Sequence, residues 1–192
     1  MAAPTLTPRD RWIDEGLNAL ASGGPDAVRI EPLARALGVT KGGFYGQFGD
    51  RRALLQEMLE AWERTMVDEV IERVEEEGDD PEARLRRLFA IATSGPGLLK
   101  AELAIRDWAR RDKAVARRVK RVDNRRMDYM RSLFVPISSD EEEAEARCLL
   151  AFSLFIGSPF ITADHPGRGR IEVIERALAG LLESPGDGDL HR

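Results

Sequence analysis

The 192-residue chain has a formal net charge of −5, with 43% hydrophobic and 33% charged residues. This composition is typical of a globular protein and excludes an extended, disordered polar chain. Cys148 is the single cysteine, which excludes a disulfide framework within the chain and fits a reducing compartment. The longest strongly apolar run, residues 148–156, is about half of the ~20 residues that span a membrane. Because the N-terminus also lacks a secretion signal, we expect a cytoplasmic protein without a membrane partner.

Charge is distributed unevenly along the sequence. Residues 1–55 carry seven cations and six anions, so a weakly basic N-terminal part precedes an acidic remainder. Nucleic-acid-binding domains usually carry a stronger basic excess. Charge alone is therefore a weak indication of DNA binding.

Apolar residues recur at helical spacing through almost the whole chain, and no run of alternating β-branched residues indicates a strand. Segments rich in glycine and proline, such as Gly23-Gly24-Pro25, separate the helical patterns. The predicted helices are 8–22, 32–37, 40–48, 51–77, 82–93, 98–111, 114–134, 139–161 and 171–183. The sequence thus predicts an all-α protein.

The second and third predicted helices are short and are joined by Gly38-Val39-Thr40, which predicts a helix-turn-helix. We expect Gly38 to take the positive φ of a tight turn, Val39 to point inward, and Thr40 to cap the third helix. Apolar spacing predicts that four side chains are buried against the first helix: Leu33, Leu37, Phe44 and Phe48.

Two glycines, Gly42 and Gly43, stand in the first turn of the third helix. Each costs ~1 kcal/mol relative to alanine within a helix, so a helix selected for stability alone would not carry them. Missing side chains would let the helix approach the DNA backbone and base edges. Lys41, Tyr45 and Gln47 would then face outward, towards the major groove.

The segment VRIEPLARALGVTKGGFYGQFGDRRALLQEML resembles the DNA-binding signature of the TetR/AcrR family of bacterial transcriptional regulators. The matching residues are Leu33, Ala34, Leu37, Gly38, Val39, Thr40, Gly42, Phe44, Tyr45, Phe48, Arg51 and Leu54. The resemblance covers about a quarter of the chain. It implies a three-helix DNA-binding domain at 1–50, a larger helical ligand-binding and dimerisation domain at 51–184, and a disordered tail at 185–192.

The resemblance also implies which residues contact DNA. Thr40 and Tyr45 would contact phosphates, Lys41 and the two glycines would lie nearest the bases, and Arg29 stands where the family often has Ser or Thr. Gln47 departs from the usual histidine, and it could contact either a phosphate or adenine. Arg51 replaces the usual lysine. The full set of predicted DNA-binding residues is Arg29, Thr40, Lys41, Gly42, Gly43, Tyr45, Gln47 and Arg51.

A homodimer is expected, because one short helix reads too few bases for a specific site. Residues 148–160 are apolar nearly all round, so their helix must be buried on more than one side. With the last helix they would form a four-helix interface, and the alternative is that both helices are ordinary core. The predicted interface residues are Cys148, Phe152, Phe155, Ile156, Pro159, Ile174, Leu178 and Leu181.

Family members respond to small molecules held in the larger domain, which implies an effector here. Large apolar and aromatic residues of the middle helices favour an apolar or aromatic effector. The predicted pocket residues are Trp62, Met66, Phe89, Ile105, Trp108, Met127, Tyr129, Met130 and Phe152. Binding would shift the dimer away from its DNA-binding arrangement and release a palindromic operator, with repression the family's common outcome.

Other functions receive little support from the sequence. The two histidines, His165 and His191, belong to no metal-ligand or catalytic pattern, so we expect neither cofactor, metal nor enzymatic activity. An all-α enzyme or ligand carrier with an accidental helix-turn-helix, and an adaptor that has lost DNA binding, remain the alternatives. The basic run between 110 and 131 is interpreted as the solvent-facing side of an amphipathic helix, and Cys148 as a core residue or a redox sensor.

Overall fold

The structure is a computed structural model that describes residues 8–76, 78–93 and 96–183. The tail predicted at 185–192 lies outside these residues. The helices are α1 Pro8–Gly23, α2 Ile30–Leu37, α3 Lys41–Tyr45, α4 Arg51–Glu63, α5 Glu69–Glu75, α6 Pro81–Thr93, α7 Pro96–Ala109, α8 Lys113–Phe134, α9 Glu141–Gly157 and α10 Arg170–Gly180. No strand occurs in the described ranges, and the all-α fold is confirmed. None of the described helices is long and apolar enough to cross a membrane.

Several helices begin at a residue whose side-chain oxygen accepts a hydrogen bond from a backbone N–H of the first turn. The Thr40 hydroxyl accepts from the Gly43 N–H at 3.3 Å, and the Asp50 carboxylate accepts from the Ala53 N–H at 2.7 Å. These caps satisfy amide groups that have no partner within a helix. The cap predicted at Thr40 is therefore confirmed. α3 ends at Tyr45 rather than at 48, because the chain turns at Gly46.

The predicted long fourth helix is helical from Arg51 to Glu75, but it is not a uniform α-helix. Its middle, Arg64–Asp68, is a π-helical turn, which separates α4 from α5. Apolar spacing did not reveal this turn, since an i→i+5 segment inserts only one residue into the pattern.

The first compact unit contains Pro96–Arg121 and the described residues up to Met66. In it, α1 packs against α2, α4 and α7. Leu20, Phe44 and Met58 are fully buried in this unit. Because α7 packs on α1, the unit around the helix-turn-helix is larger than residues 1–50. The functional boundary at residue 50 stays a prediction.

The second unit contains the described residues between Val67 and Gly95 and those from Val122 onward. In it, α6 packs against α5 and α10. Its core contains Leu85, Phe134, Cys148 and Leu178.

Candidate nucleic-acid interface

The turn between α2 and α3 is built on Gly38, which has φ 69° and ψ 28° as predicted. Its N–H donates to the carbonyls of Ala34 and Arg35, which closes the end of α2. The Val39 N–H also donates to Ala34 O at 2.9 Å. The Val39 side chain is 43% exposed, so the expectation that it points inward was wrong. Backbone hydrogen bonds, rather than a buried valine, stabilise the turn.

Aromatic side chains pack against the buried side of α3. The Phe44 ring is fully buried, lying edge-on to Trp12 and stacked on Phe48, with both pairs of ring centroids 5.3 Å apart. Leu33 is also buried, and Leu37 is half-buried. These contacts confirm the core role predicted for Leu33, Phe44 and Phe48. The opposite side of α3 is left for solvent or a ligand.

Most of the residues predicted to contact DNA are accessible. Those that are exposed are Arg29, Thr40, Lys41, Gly42, Gly43 and Tyr45. Tyr45 is 55% exposed, although its ring edge contacts Phe44. Gln47 and Arg51 are half-buried. The structure therefore presents α3 with the outward side that the sequence predicted.

Contacts with the described residues do not require glycine at positions 42 and 43. A Cβ on Gly42 would meet Thr40 Oγ1 at 3.6 Å, and one on Gly43 would meet Val39 Cβ at 3.9 Å. Both distances are ordinary van der Waals contacts. Alanine would fit both positions and would favour the helix. Packing among the described residues therefore gives no reason for glycine at these positions.

Lys41 has a partner that sequence reasoning missed. Its Nζ lies 2.8 Å from Oε1 of Glu31, near the start of α2, and both side chains are exposed. The hydrogen bond lowers the pKa of Glu31 and raises the pKa of Lys41, which means that it stabilises the charged form of each group. The two residues are ten positions apart on different helices, beyond the reach of helical spacing rules.

Arg51 binds the chain itself in this structure. Its Nε donates to the carbonyl of Val28 at 2.5 Å, and its Nη2 donates to the carbonyl of Pro25. These bonds attach the start of α4 to the turn Pro25–Ala27, which precedes α2. A phosphate contact from Arg51 stays a prediction.

Arg9 was missed by sequence reasoning altogether. Its guanidinium pairs with both carboxylate oxygens of Glu57, with Nε 2.7 Å from Oε2, and also donates to the carbonyl of Gln47. It lies 4.6 Å from the centroid of the Phe48 ring. One side chain thus connects α1, α4 and the segment that follows α3.

The residues predicted to line an effector pocket fall in both compact units. In the first unit Trp62, Met66 and Ile105 are buried and Trp108 is half-buried. In the second unit Phe89 and Met130 are buried, whereas Met127, Tyr129 and Phe152 are half-buried. Their role in binding a ligand stays a prediction.

A buried carboxylate lies beside one of these residues. Glu102 has no exposed surface, accepts from Trp62 Nε1 at 2.8 Å and pairs with Arg106 Nε at 2.7 Å. Sequence reasoning missed it, although an acidic residue within an apolar helix is a recognisable signal. In the described part of the chain, no cluster of histidine, cysteine and carboxylate groups suits a metal ion.

The predicted dimer residues differ in their burial. Cys148 and Leu178 belong to the core of the second unit, which favours the core alternative for these two. Phe152, Phe155, Ile156, Ile174 and Leu181 are half-buried, and Pro159 is exposed. The exposed apolar side chains in this region are instead Leu149, Leu150, Phe160, Ile161 and Ile171.

A shallow groove adjoins Leu149. It has a volume of about 640 Å³ and is lined by Arg131, Val135, Glu141, Glu142, Glu145, Ala146 and Leu149. None of the residues predicted for the effector pocket lines it. We therefore do not equate this groove with the predicted effector site.

Comparisons with known proteins identify the segment that carries the helix-turn-helix as similar to a known family. A model of the family described as bacterial regulatory proteins, tetR family, matches residues 13–58. Within this range lie α2, α3 and the turn between them. No curated protein matches the chain.

Solved structures match over most of the chain. A TetR-family transcriptional regulator from Streptomyces coelicolor has a TM-score of 0.73 at 16% identity, covering 91% of this chain and 94% of its own. A TetR-family regulator from Bordetella parapertussis has a TM-score of 0.62 at 18% identity, covering 92% and 95%. The fatty acid degradation regulator FadR from Bacillus halodurans has a TM-score of 0.66 at 16% identity, covering 99% and 100%.

At these identities the structural likeness shows the fold, while the family model matches the segment that builds the helix-turn-helix. The family and the similar structures are regulators of transcription and not enzymes. Residues 13–58 thus match the model of the tetR family of bacterial regulatory proteins, and the chain as a whole has the fold of TetR-family transcriptional regulators.

Proposed function

We propose that the chain is a homodimeric repressor, which binds a palindromic operator through α2 and α3 and is released by a small-molecule effector. The observation that carries the proposal is the open surface at Gly42 and Gly43. A Cβ at either position would meet no atom closer than 3.6 Å, so alanine would be tolerated and would stabilise α3. Close approach of a DNA duplex gives these glycines a physical reason.

The residues around the glycines suit a DNA duplex. Lys41 supplies an exposed cation, and Tyr45 supplies a hydroxyl on a ring that Phe44 supports. Arg29 is exposed at the residue before α2. In this proposal Thr40, Tyr45, Arg29 and Arg51 bind phosphates. The remaining predicted residues, Lys41, Gly42, Gly43 and Gln47, lie nearest the base edges.

Dimerisation is expected because α3, the helix proposed to contact the bases, is short. α3 has five residues, too few to specify a unique site alone. Two copies would read half-sites ~34–36 Å apart, or a multiple of that distance. Exposed apolar residues on α9 and α10, among them Leu149, Leu150 and Ile171, support a dimer through the last two helices. Burying them removes apolar surface from water, which favours association.

The effector is proposed to bind in the helical domain at 51–184, where large apolar side chains are concentrated. An apolar or aromatic molecule is the class that fits them best. The effector releases DNA if it binds more tightly to the arrangement of the dimer that cannot bind the operator. The coupling free energy between effector and DNA binding is typically 1–3 kcal/mol.

The test begins with selection of duplexes from fragmented genomic DNA by the purified full-length protein. Affinity for the recovered sequence is then measured by fluorescence anisotropy against a random duplex of equal length, at several salt concentrations. We expect a preference for the selected site, a complex of two chains per site, and weaker binding at higher salt.

Two variants make the test specific. Lys41→Ala should weaken binding strongly, whereas Lys120→Ala, at an exposed lysine of α8, should leave it nearly unchanged. Equal effects of the two substitutions, or no recovered site, would remove the support for operator binding through α3.

A further inference from the structure

Glu31 is placed where it opposes DNA binding. It follows Arg29 by two residues, and its carboxylate lies 2.8 Å from the ammonium of Lys41. Both neighbours belong to the proposed DNA-binding set. A carboxylate repels phosphates, so this anion is unfavourable in a surface whose task is to approach a polyanion.

Glu31 has no evident importance for the core. Its side chain is exposed, and ion pairs between exposed side chains contribute little to folding stability. It does stand in the first turn of α2, where a negative charge interacts favourably with the helix dipole. A control for that ordinary role is therefore required in any test.

We propose that Glu31 is a specificity-determining residue that reduces binding to non-cognate DNA by holding Lys41. This inference rests on the proposed function of α3. Phosphates must compete with Glu31 for the same ammonium group, and any duplex that approaches also meets the negative charge.

The resulting penalty is unequal between DNA sequences. Non-specific binding depends essentially on phosphate contacts, so loss of one available cation weakens it fully. At the operator, where Lys41 is proposed to lie nearest the base edges, a base acceptor as well as the phosphates attracts the ammonium group away from Glu31. Glu31 thus lowers affinity for random DNA more than affinity for the operator.

The experiment uses the full-length protein with the selected operator duplex and a random duplex of equal length, over a range of salt concentrations. The variants are Glu31→Gln, Lys41→Met, their combination, and Glu172→Gln. Glu172 is the matched control, because it is an exposed glutamate in the first turn of α10. Circular dichroism and thermal unfolding establish that each variant is folded.

Glu31→Gln should tighten binding to random DNA by about three- to ten-fold at low salt and binding to the operator by a smaller factor. The slope of log K against log salt should steepen by about 0.9 for each additional phosphate that the variant neutralises. In the Lys41→Met background the tighter binding should largely disappear, because no ammonium group remains to be released. Glu172→Gln should match the wild type.

Several outcomes would overturn the inference. Unchanged or weaker binding of random DNA by Glu31→Gln would show that Glu31 does not restrain Lys41. An equal increase in affinity with and without Lys41 would mean simple repulsion of phosphates, independent of the ion pair. If neither the wild type nor Glu31→Gln binds any duplex, the proposed function fails together with this inference; if the wild type binds and only the variant comparison fails, the proposed function stands.

Discussion

The guanidinium group of Arg9, in α1, pairs with both carboxylate oxygens of Glu57, in α4, and the same group donates to the carbonyl of Gln47. Arg9 therefore connects α1, α4 and the segment after α3. Arg51 makes a second connection, from the start of α4 to the carbonyls of Pro25 and Val28. The two arginines thus connect α4 to the segment after α3 and to the turn before α2.

Removing the Arg9 contact should loosen the segment that follows α3. We expect Arg9→Met to destabilise the fold by about 1–2 kcal/mol, because charged hydrogen bonds are lost from a site that is only partly screened by water. Urea denaturation measures this loss, and operator affinity should fall as well. Arg86→Met, which breaks the exposed pair with Glu82 in α6, is the control and should change stability little. Equal urea midpoints for both variants would contradict the importance of Arg9.

Alanine at the two glycines should separate folding from DNA binding. Gly42→Ala and Gly43→Ala should each raise stability by up to ~1 kcal/mol, because alanine favours the helix and the positions are open. Operator affinity should fall, since the added methyl groups prevent close approach of the duplex. Gly38→Ala is the contrasting variant: its φ of 69° disfavours any Cβ, at a cost of roughly 1–2 kcal/mol. Undiminished DNA affinity in the first two variants would refute our explanation of the glycines.

The buried carboxylate of Glu102 should be important for stability. Glu102→Ala removes the acceptor of Trp62 Nε1 and the ion-pair partner of Arg106, and disruption of a buried pair costs about 3–5 kcal/mol. Denaturation followed by tryptophan fluorescence gives the measurement. Trp62→Phe removes the donor but retains the Glu102–Arg106 pair, so we expect a smaller loss. If Glu102→Ala lowered the free energy of unfolding by less than Trp62→Phe does, the Glu102–Arg106 ion pair would contribute nothing to stability.

The exposed leucines of α9 should be required for the dimer. Leu149 and Leu150 are 59% and 55% exposed in a single chain, so replacing both with serine should weaken association without disrupting the core. Light scattering after size-exclusion chromatography should then report a monomer. Circular dichroism should report unchanged helix content. Leu178→Ala, within the core, should instead lower stability by about 2–5 kcal/mol. A double-serine variant that remains dimeric would place the interface elsewhere.

Cys148 should be a poorly reactive thiol. Burial raises its pKa to about 11, from the usual value of 9.0, so almost no thiolate is present at pH 8. Thiol reagents should modify it slowly in the native protein and rapidly in denaturant. The unfolded chain loses the thiol proton at lower pH than the folded chain. The contribution of the protonated Cys148 thiol to the free energy of unfolding should therefore be lost as pH rises from about 9 towards 11. Rapid native-state modification at pH 8 would revive the redox-sensor hypothesis.

The sequence by itself determined the helical class, the turn at Gly38, the cap at Thr40 and the burial of Phe44 and Phe48. These features depend on interactions between residues three or four positions apart, or on the conformational preference of one residue, and such rules can be applied along a chain. The same kind of rule drew attention to Gly42 and Gly43, because the cost of glycine in a helix is a property of the residue itself.

Only the tertiary structure decided the partners of Arg9, Arg51 and Lys41. The Arg9–Glu57 pair joins residues 48 positions apart, and local spacing carries no information about such a contact. Tertiary packing also decided which side of α9 is exposed: the sequence showed an apolar helix all round, and the structure buries Cys148 while leaving Leu149 in solvent. An apolar helix can bury any of its sides, so its orientation is set by the shape of the surrounding core rather than by its own sequence.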